Sequence, residues 1–121
     1  MEDKNVTLNK VFKFSIRIVK LYKYLCEEKR EYVISKQLLR CGTSIGANVN
    51  KATAAQSKKD FIAKMSISSK EARETKYWLD LLVATDYLSQ KDKHTKSLLL
   101  EMEELIKLLT AIVKTSQMKE A

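Results

Sequence analysis

Glu71 and Glu74 carry the most suggestive spacing in this chain. Three positions apart on a helix, they share a face with Ile67 and Trp78. Paired carboxylates on facing helices are how bundles build di-metal centres, but those centres also need a Glu-x-x-His pair on each of two helices. The single histidine, His94, does not lie three residues beyond any glutamate. The two acids therefore read as part of an ion-pair layer with Arg40 as leading partner, and no metal or other cofactor is expected. Cys26 and Cys41 have no metal-ligand spacing and read as two reduced thiols of a cytoplasmic protein. Gly42 and Gly46 are the only glycines, so no glycine-rich loop can cradle a phosphate. No residue is assigned a catalytic role, no enzymatic activity is expected, and no small-molecule substrate is implied.

The second chemical feature is positive charge. Twenty-three Lys and Arg against fifteen Asp and Glu give a net charge of +8 and a pI near 9.5, a balance that suits an anionic partner. Lys10, Lys13, Arg17, Lys20 and Lys23 step by 3, 4, 3 and 3, which gathers them on one side of a helix. Lys36, Arg40 and Lys51 lie in a stretch, residues 36–56, that has no acid. Such a stripe is either a solvated helix face or a surface that binds phosphate backbones without reading bases. No RNA-recognition aromatic motif, zinc finger or helix-turn-helix pattern accompanies it. Tyr22, Tyr24, Tyr32, Tyr77 and Trp78 read as core or interface residues.

These side chains must be positioned by helices. The chain has no proline and two glycines, too few turn formers for a β-rich fold, and its 121 residues suit one domain, 1–121. Apolar residues at 45% supply a core. Four helical segments follow from the apolar period, at about residues 8–28, 35–55, 58–88 and 97–116. The first has two neighbouring seams: Leu8, Phe12, Ser15, Val19, Tyr22 and Cys26, then Val11, Phe14, Ile18, Leu21 and Leu25. The second, with Ser35 as expected N-cap, turns Leu38, Cys41, Ile45, Val49 and Ala52 inward. The third follows Ser57, with Asp60 three residues on, and carries Phe61, Met65, Ser68, Ala72, Thr75, Leu79 and Leu82. The fourth carries Leu98, Met102, Leu105, Leu109 and Ile112. Short polar links between these segments predict an all-α, antiparallel up-down four-helix bundle. No signal peptide or membrane span is expected.

Gly42 and Gly46, four apart inside the second helix, each cost about 1 kcal/mol relative to alanine, which points to close helix packing there. The surrounding run, Arg40-Cys41-Gly42-Thr43-Ser44-Ile45-Gly46-Ala47-Asn48-Val49, resembles the signature of the four-helix-bundle proteins of the ribosomal-RNA intervening-sequence family. Members carry Arg, then Thr-Ser-Ile-Gly (or Pro)-Ala-Asn-Ile. Residues 57–62 and 70–79, the latter including Glu71, Glu74 and Trp78, continue the likeness. Asn50 and Lys51 stand where the family usually has acids, which makes this end of the helix more positive. The resemblance implies a bacterial, cytoplasmic homo-oligomer, typically a pentameric ring, and no established enzymatic activity. It also favours RNA over DNA as the anionic partner. Five copies of +8 would concentrate about +40 on one particle, a strong and salt-dependent attractor of polyphosphate. The expected function is therefore nucleic-acid binding by a self-associating basic bundle. A protein-binding assembly module whose charge only keeps it dissolved is the alternative, and a small-ligand or metal-binding bundle ranks third.

Overall fold

The computed structural model describes residues 4–120. Four helices fill nearly all of it: α1 (Lys4–Glu27), α2 (Ile34–Thr53), α3 (Lys58–Ala84) and α4 (Lys93–Glu120), with no strand among the described residues. Each helix packs on the next in sequence, while α1 and α4 only graze each other. The four-helix expectation holds, with one loosely closed side.

The core follows the expected seams closely. All five inward positions of α2 are buried, as are Met65, Ser68, Ala72, Thr75, Leu79 and Leu82 on α3 and Leu98, Met102, Leu105 and Leu109 on α4. Of the two seams on α1, the structure buries Val11, Phe14, Ile18 and Leu25. The seam through Phe12 is half-buried at the edge of the core, and only Phe12 itself, 67% exposed, faces solvent.

Helix ends depart from expectation in instructive ways. Ser35 does not cap α2; it lies inside the helix, fully buried. The cap is Glu31, whose carboxylate accepts the amide protons of Val33, Ile34 and Ser35 at 3.2, 3.0 and 2.7 Å. Ser35 answers by donating its hydroxyl to the Glu31 carbonyl at 2.7 Å. A carboxylate suits this place because the helix start offers unpaired N–H groups and a partial positive charge. α1 closes with Glu31 N–H returning to the Leu25 carbonyl at 2.9 Å, which puts Arg30 at φ 52°. This is the left-handed C′ position that glycine usually occupies. Replacing Arg30 by glycine should therefore leave stability level or raise it by up to about 1 kcal/mol in chemical denaturation.

α4 begins at Lys93, earlier than the expected residue 97, because Asp92 caps it. Its carboxylate accepts from the Thr95 N–H at 2.9 Å and the Thr95 hydroxyl at 3.1 Å. Ser57 caps α3 as expected, accepting from the Asp60 N–H at 3.0 Å. α3 stops at Ala84, short of the expected 88, in a turn with Asp86 at φ 67°. α1 starts earlier than expected, at Lys4, and α4 runs on beyond 116 to Glu120.

Candidate nucleic-acid interface

The glycine pair sits where α2 meets α1. A Cβ on Gly42 would fall 2.8 Å from Ile18 Cγ2 and 3.0 Å from Cγ1, on a side chain that is itself fully buried. A Cβ on Gly46 would meet Ser15 Oγ at 3.1 Å and the Val11 carbonyl oxygen at 3.4 Å. Both glycines thus let the α1 and α2 backbones approach, and Gly42 is the tighter of the two. The polar members of the same run look after themselves. Thr43 donates to the Leu39 carbonyl at 2.7 Å, and Asn48, nearly buried, donates to the Ser44 carbonyl and hydroxyl at 2.9 and 3.0 Å.

On the neighbouring face α2 meets α3. Arg40 reaches Glu71 at 3.4 Å and pairs closely with Glu74, whose carboxylate also accepts from the Trp78 indole N–H at 3.1 Å. The expected partners are brought together, but on the surface and not in a buried layer, since the Arg40 side chain is 53% exposed. Its worth is accordingly that of an exposed ion pair, about 0–1 kcal/mol and screened by salt. Deeper down, the Ser68 hydroxyl donates to the Ile45 carbonyl across the helix pair at 2.9 Å, a buried link that no sequence signal announced beyond the place of Ser68 in the seam.

The stripe on α1 divides. Lys10, Lys13, Lys20 and Lys23 are exposed. Arg17 is half-buried and turned to α4, where it pairs with Glu101 at 2.6 Å and also donates to the His94 carbonyl at 3.1 Å and the Ser97 hydroxyl at 3.2 Å. Along the sparsely packed α1–α4 side this is the main polar tie. Arg17→Gln should destabilise the protein by about 1–2 kcal/mol, against a negligible effect of Lys13→Gln, and should speed amide exchange in the first turns of α4.

Charge is distributed by layer. From Lys4 to Cys26 and from Tyr32 to Lys59 the chain contains no Asp or Glu, so the helices α1 and α2 carry acid only at the last residue of α1, with further acids in the turn joining them. The described acids beyond that turn belong to α3, α4 and their connection. The surface these two helices contribute is therefore strongly cationic, with Glu27 the one acid in either helix. Lys13, Lys20 and Lys23 make no ion pair among the described residues.

Burial pushes the Cys41 thiol above its ordinary pKa, which disfavours the nucleophilic thiolate. His94 is exposed and contributes its backbone carbonyl to Arg17. Among the described residues no group of three His, Cys, Asp or Glu side chains could hold a metal ion, and no helix is long and apolar enough to cross a membrane.

Four helices in sequential contact, a cationic α1–α2 face and a glycine-tightened α1–α2 seam define a small basic helical-bundle protein. The chain belongs to the 23S rRNA-intervening sequence protein family, whose family model matches residues 3–111. It is also similar, at 49% identity and a TM-score of 0.87, to a protein of unknown function from the S23 ribosomal protein family of Bacteroides thetaiotaomicron VPI-5482, known from a 1.70 Å crystal structure. That match covers 92% of this chain and 97% of the other. A comparison with curated proteins finds no match.

Proposed function

We propose that this protein is a non-enzymatic, self-associating bundle that binds nucleic acid, RNA in particular, through the phosphate backbone. The observation that carries the reading is that α1 and α2 hold no acid except Glu27, while Lys13, Lys20 and Lys23 are exposed on α1. Each lysine can displace a condensed counterion from a phosphate, so binding is strong at low salt and indifferent to sequence. The family name, with its reference to ribosomal RNA, favours RNA as the ligand.

Replacing Lys13, Lys20 and Lys23 together by glutamine keeps helix propensity and leaves the Arg17 tie intact. In a gel-shift titration at several salt concentrations, this variant should bind unrelated single strands more weakly and to a similar degree. The slope of log affinity against log salt should flatten by about two units. Unchanged affinity and slope, with circular dichroism confirming the helices, would favour the assembly-module reading.

Self-association is supported by what the monomer leaves uncovered. Phe12 and Ile16 lie on the outward side of α1, beside the lysines, and Tyr77 is exposed on α3. Exposed aromatic and branched side chains grouped on one helix are typical of interface cores. Light scattering at micromolar concentration should return a mass several times 14.0 kDa, with a pentamer as the expected stoichiometry. Phe12→Asp with Ile16→Lys should reduce it; a parent protein that scatters as a monomer would remove the ring and its amplified charge.

A further inference from the structure

The loosely closed side of the bundle contains a cleft of about 490 Å³ between the second half of α1 and the turn joining α3 to α4. It exists because α1 and α4 barely touch, and the Arg17–Glu101 pair spans the gap between them. Its volume lies within the range of sites that hold small organic groups. Leu21, Leu88 and Leu98 give it apolar walls, and two aromatic rings, Tyr24 and Tyr87, line it as well. Tyr24 is 42% exposed, so a large ring is left partly in water at the edge of an apolar cleft. The Lys29 ammonium lies 6.0 Å over that ring, a long and weak cation–π contact that a better stacking partner could replace. Lys20 also lines the cleft, and it is a member of the exposed α1 stripe, so the cleft and the stripe are one continuous surface.

We propose that this cleft seats one unpaired base of a single strand, against Tyr24, with the adjoining phosphates on Lys20 and Lys29. The inference rests on the nucleic-acid reading above and adds to it a preference for single strands. An unpaired base is flat, largely apolar on its faces and tethered to an anion, which matches an apolar cleft with an exposed ring and a lysine rim. Base–aromatic stacking tolerates any base, in keeping with a stripe that reads no sequence. A duplex keeps its bases paired and stacked and can offer only phosphates. The two acids of the lining, Asp86 and Asp92, belong to the α3–α4 turn, and the Asp92 carboxylate is engaged by Thr95.

The test compares the full-length parent, Tyr24→Leu, Tyr24→Phe and Lys29→Gln, each binding a short single-stranded RNA and a duplex of equal length, by fluorescence anisotropy at fixed salt. Tyr24→Leu should weaken single-strand binding by about five- to 150-fold and duplex binding by less than twofold, while Tyr24→Phe keeps parental affinity for both. Lys29→Gln should weaken single-strand binding and flatten its salt dependence by less than one unit. Circular dichroism must show unchanged helices, as expected for a side chain this exposed. A Tyr24→Leu protein that binds single strands as the parent does, or loses both ligands equally, overturns the base seat and leaves the phosphate stripe standing. A parent that binds neither ligand overturns both.

Discussion

Gly42→Ala should destabilise the protein by about 1–3 kcal/mol, although alanine in place of glycine within a helix ordinarily gains about 1 kcal/mol. The new methyl would sit 2.8 Å from Ile18 Cγ2, closer than van der Waals contact permits. Ile18 cannot swing away, because it is branched at Cβ, stiff at χ1, and buried between α1 and its neighbours. α1 and α2 must then separate, at the expense of dispersion contacts along the whole seam. Chemical denaturation of a four-member cycle isolates the cause. Ile18→Ala alone should cost about 2–5 kcal/mol, but in that background Gly42→Ala should become neutral or stabilising. A Gly42→Ala penalty that persists without the Ile18 side chain would refute the steric account. Gly46→Ala should be close to neutral, since Ser15 can rotate away by giving up its 3.0 Å bond to the Val11 carbonyl. Gly46→Leu should overfill the same contact and cost about 1–3 kcal/mol.

The second large effect belongs to Glu31. Glu31→Ala should cost about 1–3 kcal/mol at neutral pH, because three amide N–H groups at the start of α2 lose their acceptor, one of them in a buried position. The effect depends on pH in a determined direction. Burial works to raise the Glu31 pKa, but the amides of Ile34, Ser35 and Val33 favour the carboxylate more strongly and hold it below its ordinary 4.5. A group whose pKa is depressed on folding contributes stability that is fully present above the ordinary value and is lost as pH falls through the folded one. Parent and variant should therefore differ most above pH 5 and converge as acid titrates the carboxylate. Glu31→Gln keeps one acceptor oxygen without the charge, so its deficit should be smaller than that of alanine, and the carboxylate's contribution to the pH dependence should vanish. A parent–alanine difference that stays constant from pH 7 to well below 4 would show that packing, and not the charged cap, is what Glu31 contributes.

Gly42 and Glu31 also separate what local spacing specifies from what the neighbouring helix decides. The glycines four apart in a helical run announced a close approach, but nothing in the run ranks Gly42 above Gly46. That order depends on which α1 side chain lies opposite, branched Ile18 in one case and small, rotatable Ser15 in the other. At α2, serine ahead of an apolar run is a sound cap signal, yet Glu31 displaced it. The tight end of α1, with Arg30 in the left-handed region, brings the Glu31 carboxylate onto the first amides of the next helix. Among charged residues, Arg40 with Glu71 and Glu74 was legible, because the helical period put each on an identifiable face. Arg17 with Glu101 was not, because the partners are 84 residues apart and each looks like one more member of a solvated face.

The sequence by itself determined that this protein is helical, has four helices and builds its core from their apolar seams; local spacing and the scarcity of turn residues are enough for that. It also determined the cationic character of the first half, since charge is a property of composition. The tertiary structure alone decided which of two adjacent α1 seams fills the core and which lies half-buried at its edge, with Phe12 outside. It alone decided that α1 and α4 leave a cleft beside Tyr24, and that Arg17 serves the bundle while Lys13, Lys20 and Lys23 face water. The physical reason is common to all three. A helical period specifies the direction in which a side chain points from its own axis, and only the neighbouring helices determine what it meets there.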